Sequence, residues 1–394
     1  MLRKYRLLIV AVLVVMSLVS STIGASAKSL KPANLYGPAT VQVTSQYPNT
    51  TPVSTIAMPS GHSPLQLKAF YPPPSTQTPT LIPPPVFSIP PIPTITGTGY
   101  HVTGNTIYDP LGKPVIFRGV ARPSLEWRST GQNLSLADYQ LMQTWHVKIV
   151  RLPLNQRFWL NNTNNYQQTI DQNIQWIKSL GMNVLLDLHW SDKGNPAVSP
   201  AQQCMADAHS LPFWQQVAAK YKNDPSVFFE LYNEPTVSSW SVWLNGGNAC
   251  GFTVVGMQHL YNAVRSTGAT NLVFIGGLNW AFDLSGVPAN RVKGTNIVYD
   301  THPYDYSGKN TPADWEKGFG FLSATDPVVI TEFGDYNCDA TYYTNLINYA
   351  ESKKVGWIGW AWFPSGCGFP SLITDWNGTP NAPGQIVKNA LLSH

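Results

Sequence analysis

Between Gly99 and His394 the sequence repeats one pattern. Eight apolar, β-rich runs occur at 115–120, 147–152, 183–188, 227–232, 271–275, 297–301, 328–331 and 356–360. Amphipathic stretches of helix length, at 136–145, 167–180, 211–221, 253–266 and 342–353, fall between them. Short runs rich in Val, Ile and Phe read as strands covered on both faces. Strands alternating with helices build a parallel sheet, and eight of them close into a (β/α)8 barrel, the TIM barrel. An open doubly wound sheet would carry a Gly-rich phosphate loop after its first strand, and none occurs here. Residues 100–113, punctuated by Thr103-Gly104-Asn105 and Asp109-Pro110-Leu111-Gly112, read as a β-hairpin closing the barrel floor.

The first part of the chain is a different polymer. Residues 1–27 combine a basic start (Arg3, Lys4, Arg6), an apolar stretch over 7–19 and a small-residue Ala25-Ser26-Ala27, the pattern of a signal peptide cut after Ala27. The competing reading is an uncleaved anchor, against which the apolar stretch is short for a span. Residues 28–98 hold 16 of the 33 prolines, and proline removes an amide donor and restricts its neighbour. That segment is expected to be a disordered, extended linker of polyproline type. The domain expected to fold is therefore 99–394, exported and secreted, or tethered at the cell surface if the leader is kept.

The net charge of +4 is small for 394 residues, and basic runs are confined to the leader, so nucleic-acid partners have no support. Cys204, Cys250, Cys338 and Cys367 all fall in expected loops, and an even count in an exported chain points to disulfides. Of the three pairings, Cys204–Cys250 and Cys338–Cys367 are favoured because each joins loops of adjacent strands at one face. A metal site is the rival reading, but no CxxC or paired His spacing supports one.

Two strands end on carboxylates. Val-Phe-Phe-Glu-Leu-Tyr-Asn-Glu-Pro (227–235) reaches Glu234, and Pro-Val-Val-Ile-Thr-Glu-Phe-Gly (327–334) reaches Glu332. A strand buried on both faces has no structural use for an acid at its end, whereas barrel active sites lie at that face. Paired carboxylates serve glycosidic bond cleavage: one protonates the leaving oxygen, the other attacks or activates water. Laying the sequence on the barrel places a polar or aromatic residue at most other strand ends. Arg118 is assigned to the end of the first and Arg151 to the second. His189 and Trp190 follow the third, Trp280 the fifth, His302 and Tyr304 the sixth, and Trp362 the eighth. A non-catalytic glycan-binding barrel would keep the aromatics and lose one glutamate; both are present.

The ordered set resembles the family 5 glycoside hydrolases. Asn233-Glu234-Pro235, Arg151, His189, His302-Pro303-Tyr304, Glu332-Phe333-Gly334 and a Trp after strand eight match that family's pattern, as does the opening Gly112–Val120. Trp357, Trp360 and Trp362 compete for the last position, and Trp362 is preferred because Phe363-Pro364 marks the strand's exit. The resemblance implies a retaining double displacement without metal or organic cofactor. Glu332 is the implied nucleophile, kept ionised by Arg151 and the Tyr304 hydroxyl. Glu234 is the implied acid/base, its proton held by partial burial and its neighbouring carboxylate. Asn233 is placed to bond the sugar 2-hydroxyl, and His189 and His302 to bind hydroxyls or orient the carboxylates.

Pyranose faces pack on Trp and Tyr, so Trp190, Trp240, Trp280 and Trp362 are candidates to line a cleft, while Trp145, Trp176 and Trp214 fall on helices as core. Arg122, Glu126 or Trp127 in the first-strand loop are candidates for a glycone-side subsite. The resemblance implies a β-1,4-linked polysaccharide partner, cellulose or mixed-linkage glucan first, with mannan, xyloglucan and other β-glycans as alternatives. A monomer with no stable membrane partner after leader cleavage is expected.

Overall fold

Eight parallel strands close into a barrel: Arg118–Ala121, Ile149–Asn155, Asn183–Trp190, Val227–Glu230, Val273–Gly276, Ile297–Thr301, Val328–Ile330 and Gly356–Gly359. The computed structural model describes residues 99–394; the expected leader 1–27 and linker 28–98 lie outside the described residues. Each strand pairs with the next, and the eighth returns to the first through Trp357↔Arg118 and Ile358↔Gly119.

The pleat sorts side chains into two shells. Phe117, Ala121, Ile149, Leu185, Phe228, Phe274, Val298, Val329 and Ile358 fill the interior. Their neighbours along the strands, Val120, Val150, Val184, Phe229, Val273 and Trp357 among them, point outward against the helices. That double burial is why the runs read as continuously apolar.

Three corrections concern the first strand and its surroundings. The run 115–120 divides between two sheets: Val115 pairs antiparallel with Ile107 in the floor, and barrel pairing starts only at Arg118. Arg118 therefore opens the first strand and does not end it. Its guanidinium grips Glu351 of the helix Ala340–Ser352 at 2.7 and 2.6 Å, away from the catalytic face. The floor itself is a three-stranded sheet, His101–Thr103, Thr106–Tyr108 and Pro114–Val115, one strand more than a hairpin. Tyr100 closes it from inside, edge-on to Phe228 at 5.1 Å.

Helices Leu136–Thr144, Tyr166–Ser179, Ser210–Tyr221 and Ala340–Ser352 match the amphipathic stretches. The stretch 253–266 is helical only over Met257–Arg265, because Phe252–Val254 pairs with Gly247–Ala249 before it. Four helices escaped the periodicity: the short Gln156–Leu160 and Trp240–Asn245, Pro312–Gly318, started by a Thr311–Asp314 capping box, and Ala382–Leu392. Among the described residues, the crossover from fifth to sixth strand holds only the short turn Val287–Ala289.

Both disulfides pair as read, Cys204–Cys250 joining the loops after strands three and four, and Cys338–Cys367 those after seven and eight. No helix among the described residues is long and apolar enough to cross a membrane.

Candidate active site

Strands four and seven deliver the two glutamates. Beyond Glu230 the fourth strand keeps its ladder, Leu231 N donating to Phe274 O and Asn233 N to Leu188 O, so Glu234 is presented at the rim. Glu332 follows Ile330 by two residues, and Thr331 N still bonds Thr301 O. A carboxylate oxygen of Glu234, one of Glu332 and a ring nitrogen of His302 lie within 4.8 Å of one another.

Arg151, fully buried, is the hub. Its Nε and Nη2 donate to Glu230 at 2.6 and 2.7 Å, Nη2 also reaches Asn233 Oδ1 at 2.8 Å and Asp187 at 2.9 Å, and Nη1 bonds Glu332 Oε1. Tyr304 donates to the other oxygen of Glu332 at 2.7 Å. Glu332 is only 3 % exposed, and burial alone would favour its protonated form. Arg151, His302, His189 and the Tyr304 hydroxyl outweigh that and hold its carboxyl below the usual value, so it stays ionised. Burial and the facing Glu332 push the Tyr304 hydroxyl well above its ordinary range, which keeps it a proton donor.

His302 stands between two acidic layers. Nδ1 lies 3.2 Å from Glu234 and 3.8 Å from Glu332; Nε2 lies 2.9 Å from Thr331 Oγ1 and 3.6 Å from Glu230. Burial opposes its charge, but Glu332, Glu230 and Glu234 raise its pKa to about 10. A folded pKa above the unfolded 6.5 gives stability that is full below 6.5 and lost as pH rises through about 10. Replacing His302 with Gln should therefore flatten the decline of stability between those values, read as melting temperature against pH. An unchanged slope would show that the imidazole is neutral.

His189 donates through Nδ1 to Asp187 at 2.6 Å and lies parallel to Trp360, 5.7 Å between ring centres. Burial lowers its tendency to charge, yet Asp187 and Glu126 leave its pKa raised. Asn233 is buried and clamped between Arg151 and Gln202. Trp190 ends the third strand half-buried, and Trp280 is 54 % exposed, with Lys309 Nζ 5.4 Å from its ring centre and its main-chain N–H on Pro235 O.

Trp362 requires a correction. It is 0 % exposed, packs edge-on to Trp145 at 4.8 Å and donates its indole N–H to Asp138 at 2.9 Å. The eighth strand stops at Gly359, Trp362 N bonds Ala121 O, and the side chain lies in the outer core. The aromatic on the catalytic side is Trp360, against His189. Arg122 is also internal: fully buried, it pairs with Asp138 at 2.6 Å and stacks on Trp376. Trp127 donates to Gln132 and packs against Phe363 and Phe369. Glu126 is buried with Oε1 unpartnered, and burial raises its pKa to about 7. Trp145 and Trp214 are core as read, Trp176 is packed against it, and Trp240 is half-buried on Trp243.

The sequence reading missed Asp187, Glu230 and Asp300, acids inside otherwise apolar strands. The signal was available, because an acid in a doubly buried run argues for function by the reasoning that found Glu234. Asp187 and Glu230 are cross-strand partners, which fixes them in one layer beneath the glutamates. Both oxygens of Asp300 are buried without partners, and burial and then Glu230 raise its pKa well above the ordinary value.

Three acid–histidine clusters could in principle hold a cation: the catalytic one, Glu230–Asp300–His302 below it, and Asp192–Asp207–His209 in the loop after strand three. In the last, Gln156 Nε2 donates to both aspartates, and Arg157 pairs with Asp192. In the middle one, Arg151 already binds Glu230. The aspartates of the loop cluster are met by protein cations and amides, while in the middle cluster Asp300 stays unpartnered.

The family model for cellulase, glycosyl hydrolase family 5, matches residues 108–366. The chain belongs to glycosyl hydrolase family 5. An endoglucanase of Clostridium saccharobutylicum is 24% identical over 274 residues, 67% of this chain and 57% of that protein. An endoglucanase of Paenibacillus polymyxa is 25% identical over 358 residues, 74% of this chain and 87% of that protein. The chain thus spans little more than half of the first relative and most of the second. A β-glucanase of Saccharophagus degradans, solved with cellotetraose, superposes with a TM-score of 0.62 at 25% identity, covering 79% of this chain and 98% of that one. The described residues of this family 5 chain form a closed eight-stranded barrel.

Proposed function

We propose that this chain is a secreted, retaining endo-β-1,4-glucanase in which Glu332 is the nucleophile and Glu234 the acid/base. The observation that carries this is that one oxygen of each carboxylate lies within 4.8 Å of the other, with Arg151 and Tyr304 both bound to Glu332. Inverting glycosidases need about 6.5–9.5 Å between carboxyls to admit a water, and retaining ones about 5–5.5 Å. The shorter separation supports direct attack.

In this reading Glu332 attacks the anomeric carbon while Glu234 gives its proton to the departing oxygen. Arg151 and Tyr304 hold the nucleophile's two oxygens in place, and Asn233 meets the 2-hydroxyl as positive charge grows on the ring. Glycosylation removes the charge of Glu332, so Glu234 can then take a proton from the incoming water. His302, touching both glutamates, orients them through the exchange. His189 and Trp360 form one wall, and exposed Trp280 offers a sugar platform on the side of Glu234, where the leaving group departs. The cellotetraose complex of the Saccharophagus degradans relative favours a β-1,4-glucan substrate. Residues 1–27 act as leader and 28–98 as spacer in this reading.

The test is reducing-sugar release by the full chain from carboxymethylcellulose, mixed-linkage β-glucan, glucomannan, galactomannan, xyloglucan and xylan. Activity on the glucans with internal cuts is expected; activity on mannans alone would replace the substrate, and inactivity on all would end the reading. A second arm separates the roles. Glu234→Ala should lower cellulose hydrolysis by about 10²–10⁴-fold, yet spare the first step with 2,4-dinitrophenyl β-cellobioside, whose leaving group needs no proton. Equal losses on both would remove Glu234 from the acid's role.

A further inference from the structure

Gln202 has no part in the chemistry as described, yet its side chain spans the gap between two loops of the active face. It lies half-buried in the loop after the third strand and reaches the end of the fourth. Its Oε1 accepts from Asn233 Nδ2 at 2.8 Å, and its Nε2 donates to the main-chain oxygens of Glu234 at 2.8 Å and Gln203 at 2.9 Å. Two further bonds run alongside: the Tyr232 hydroxyl donates to Gln203 O at 3.0 Å, and Thr236 N donates to Cys204 O at 2.8 Å. Residues 202–204 are thus stitched to residues 232–236, and the Cys204–Cys250 disulfide anchors the stitch.

The consequence for Asn233 follows from amide geometry. Arg151 donates to its Oδ1, so that end cannot be a donor. Gln202 accepts one of the two hydrogens on Nδ2. A planar amide with its oxygen and one N–H fixed has only one direction left for the other N–H. Rotating the amide by half a turn would set Nδ2 against an all-donor guanidinium and Oδ1 against the Gln202 oxygen, losing both bonds. With Gln202 gone, only the Arg151 bond would resist tilting of the group.

We propose that Gln202 is a positioning residue that aims the free N–H of Asn233 at the sugar 2-hydroxyl and seats the Glu234 backbone. The proposal rests on the reading of Asn233 given above, and the experiment separates the two. The probes are 2,4-dinitrophenyl β-cellobioside and its analogue deoxygenated at C2 of the ring bearing the leaving group. The activated leaving group removes the acid's role from the measured step, so the ratio of kcat/KM between the two substrates reports the 2-hydroxyl contact. In the unmodified chain the ratio should be about 10² or more, because contacts to this hydroxyl strengthen in the transition state. Asn233→Ala should bring it within about threefold of unity. Gln202→Leu should shrink it by about tenfold. A purely structural role would slow both substrates equally and leave the ratio alone. An unchanged ratio in Gln202→Leu overturns the assignment of Gln202 while that of Asn233 stands. An unchanged ratio in Asn233→Ala overturns both. Because Gln202 is half-buried, Gln202→Leu is expected to melt within a few degrees of the parent.

Discussion

Glu332→Ala should abolish turnover of cellulosic substrates, with a loss on the order of 10⁵ in kcat, the scale at which covalent nucleophiles fail when removed. The size follows from what the side chain alone supplies. It is the carboxylate whose two oxygens are held by Arg151 and Tyr304 and whose charge the site is arranged to keep. The alanine variant leaves a gap at the attacking position, on the face of the sugar opposite the leaving group. Azide should enter it and release a glycosyl azide of inverted, α configuration from 2,4-dinitrophenyl β-cellobioside. The same reagent with Glu234→Ala should give the β-azide, since there it attacks the glycosyl-enzyme in place of water. NMR of the anomeric proton reads the difference. A β product from Glu332→Ala would exchange the two roles.

Arg151→Met should cost about 3–5 kcal/mol of stability at neutral pH, because it removes the guanidinium shared by three buried acids. The side chain pairs with Glu230, Asp187 and Glu332, and all three lose their counter-charge together. The pH dependence identifies the cause. In the parent, burial alone would raise the Glu230 pKa, but Arg151 and His302 depress it below 4.5. A depressed folded pKa gives stability that is present above 4.5 and lost as pH falls through the folded value. The difference between Arg151→Met and the parent should therefore be widest above pH 4.5 and narrow in more acid solution. Denaturant titrations on either side of that value test it; equal differences would assign the loss to packing. Arg151→Lys should keep part of the stability and little of the activity, since a single ammonium cannot fork to Glu230, Asn233 and Glu332 at once.

The contrast between Glu234 and Trp362 shows what could be read from the chain and what could not. Glu234 and Glu332 end strands that pair on both sides, and there the alternation of inner and outer positions holds, so an acid at the end has one place to point. Arg151, expected to end the second strand, lies inside it, the strand running on to Asn155; His189 falls in the third strand, and His302 and Tyr304 follow the sixth strand's end at Thr301. Trp362 lies past the eighth strand's end at Gly359, and its indole is taken into the outer core by Trp145 and by Asp138, 224 residues away in sequence. Arg118 failed at the opposite end, because Val115 belongs to the floor sheet and the true strand begins three residues later than the apolar run. Gln202 was beyond reach altogether. It stands in a long loop, and only the folded chain brings it to Asn233, 31 residues away in sequence.

The two disulfides fall where the glutamates are, and not where the barrel is closed. One anchors the loop stitched to the fourth-strand end, and the other begins in the loop that follows Glu332. The eight strands close through backbone pairing and apolar packing that need no sulfur chemistry. Folding and competence are thereby separable steps. On the proposed reading of residues 1–27 as a leader, a newly made chain still in a reducing compartment would hold its scaffold while both banks of its cleft stayed untied, and oxidation after export would complete the catalyst. The hydrolase so read would stay unfinished until it had left the cell.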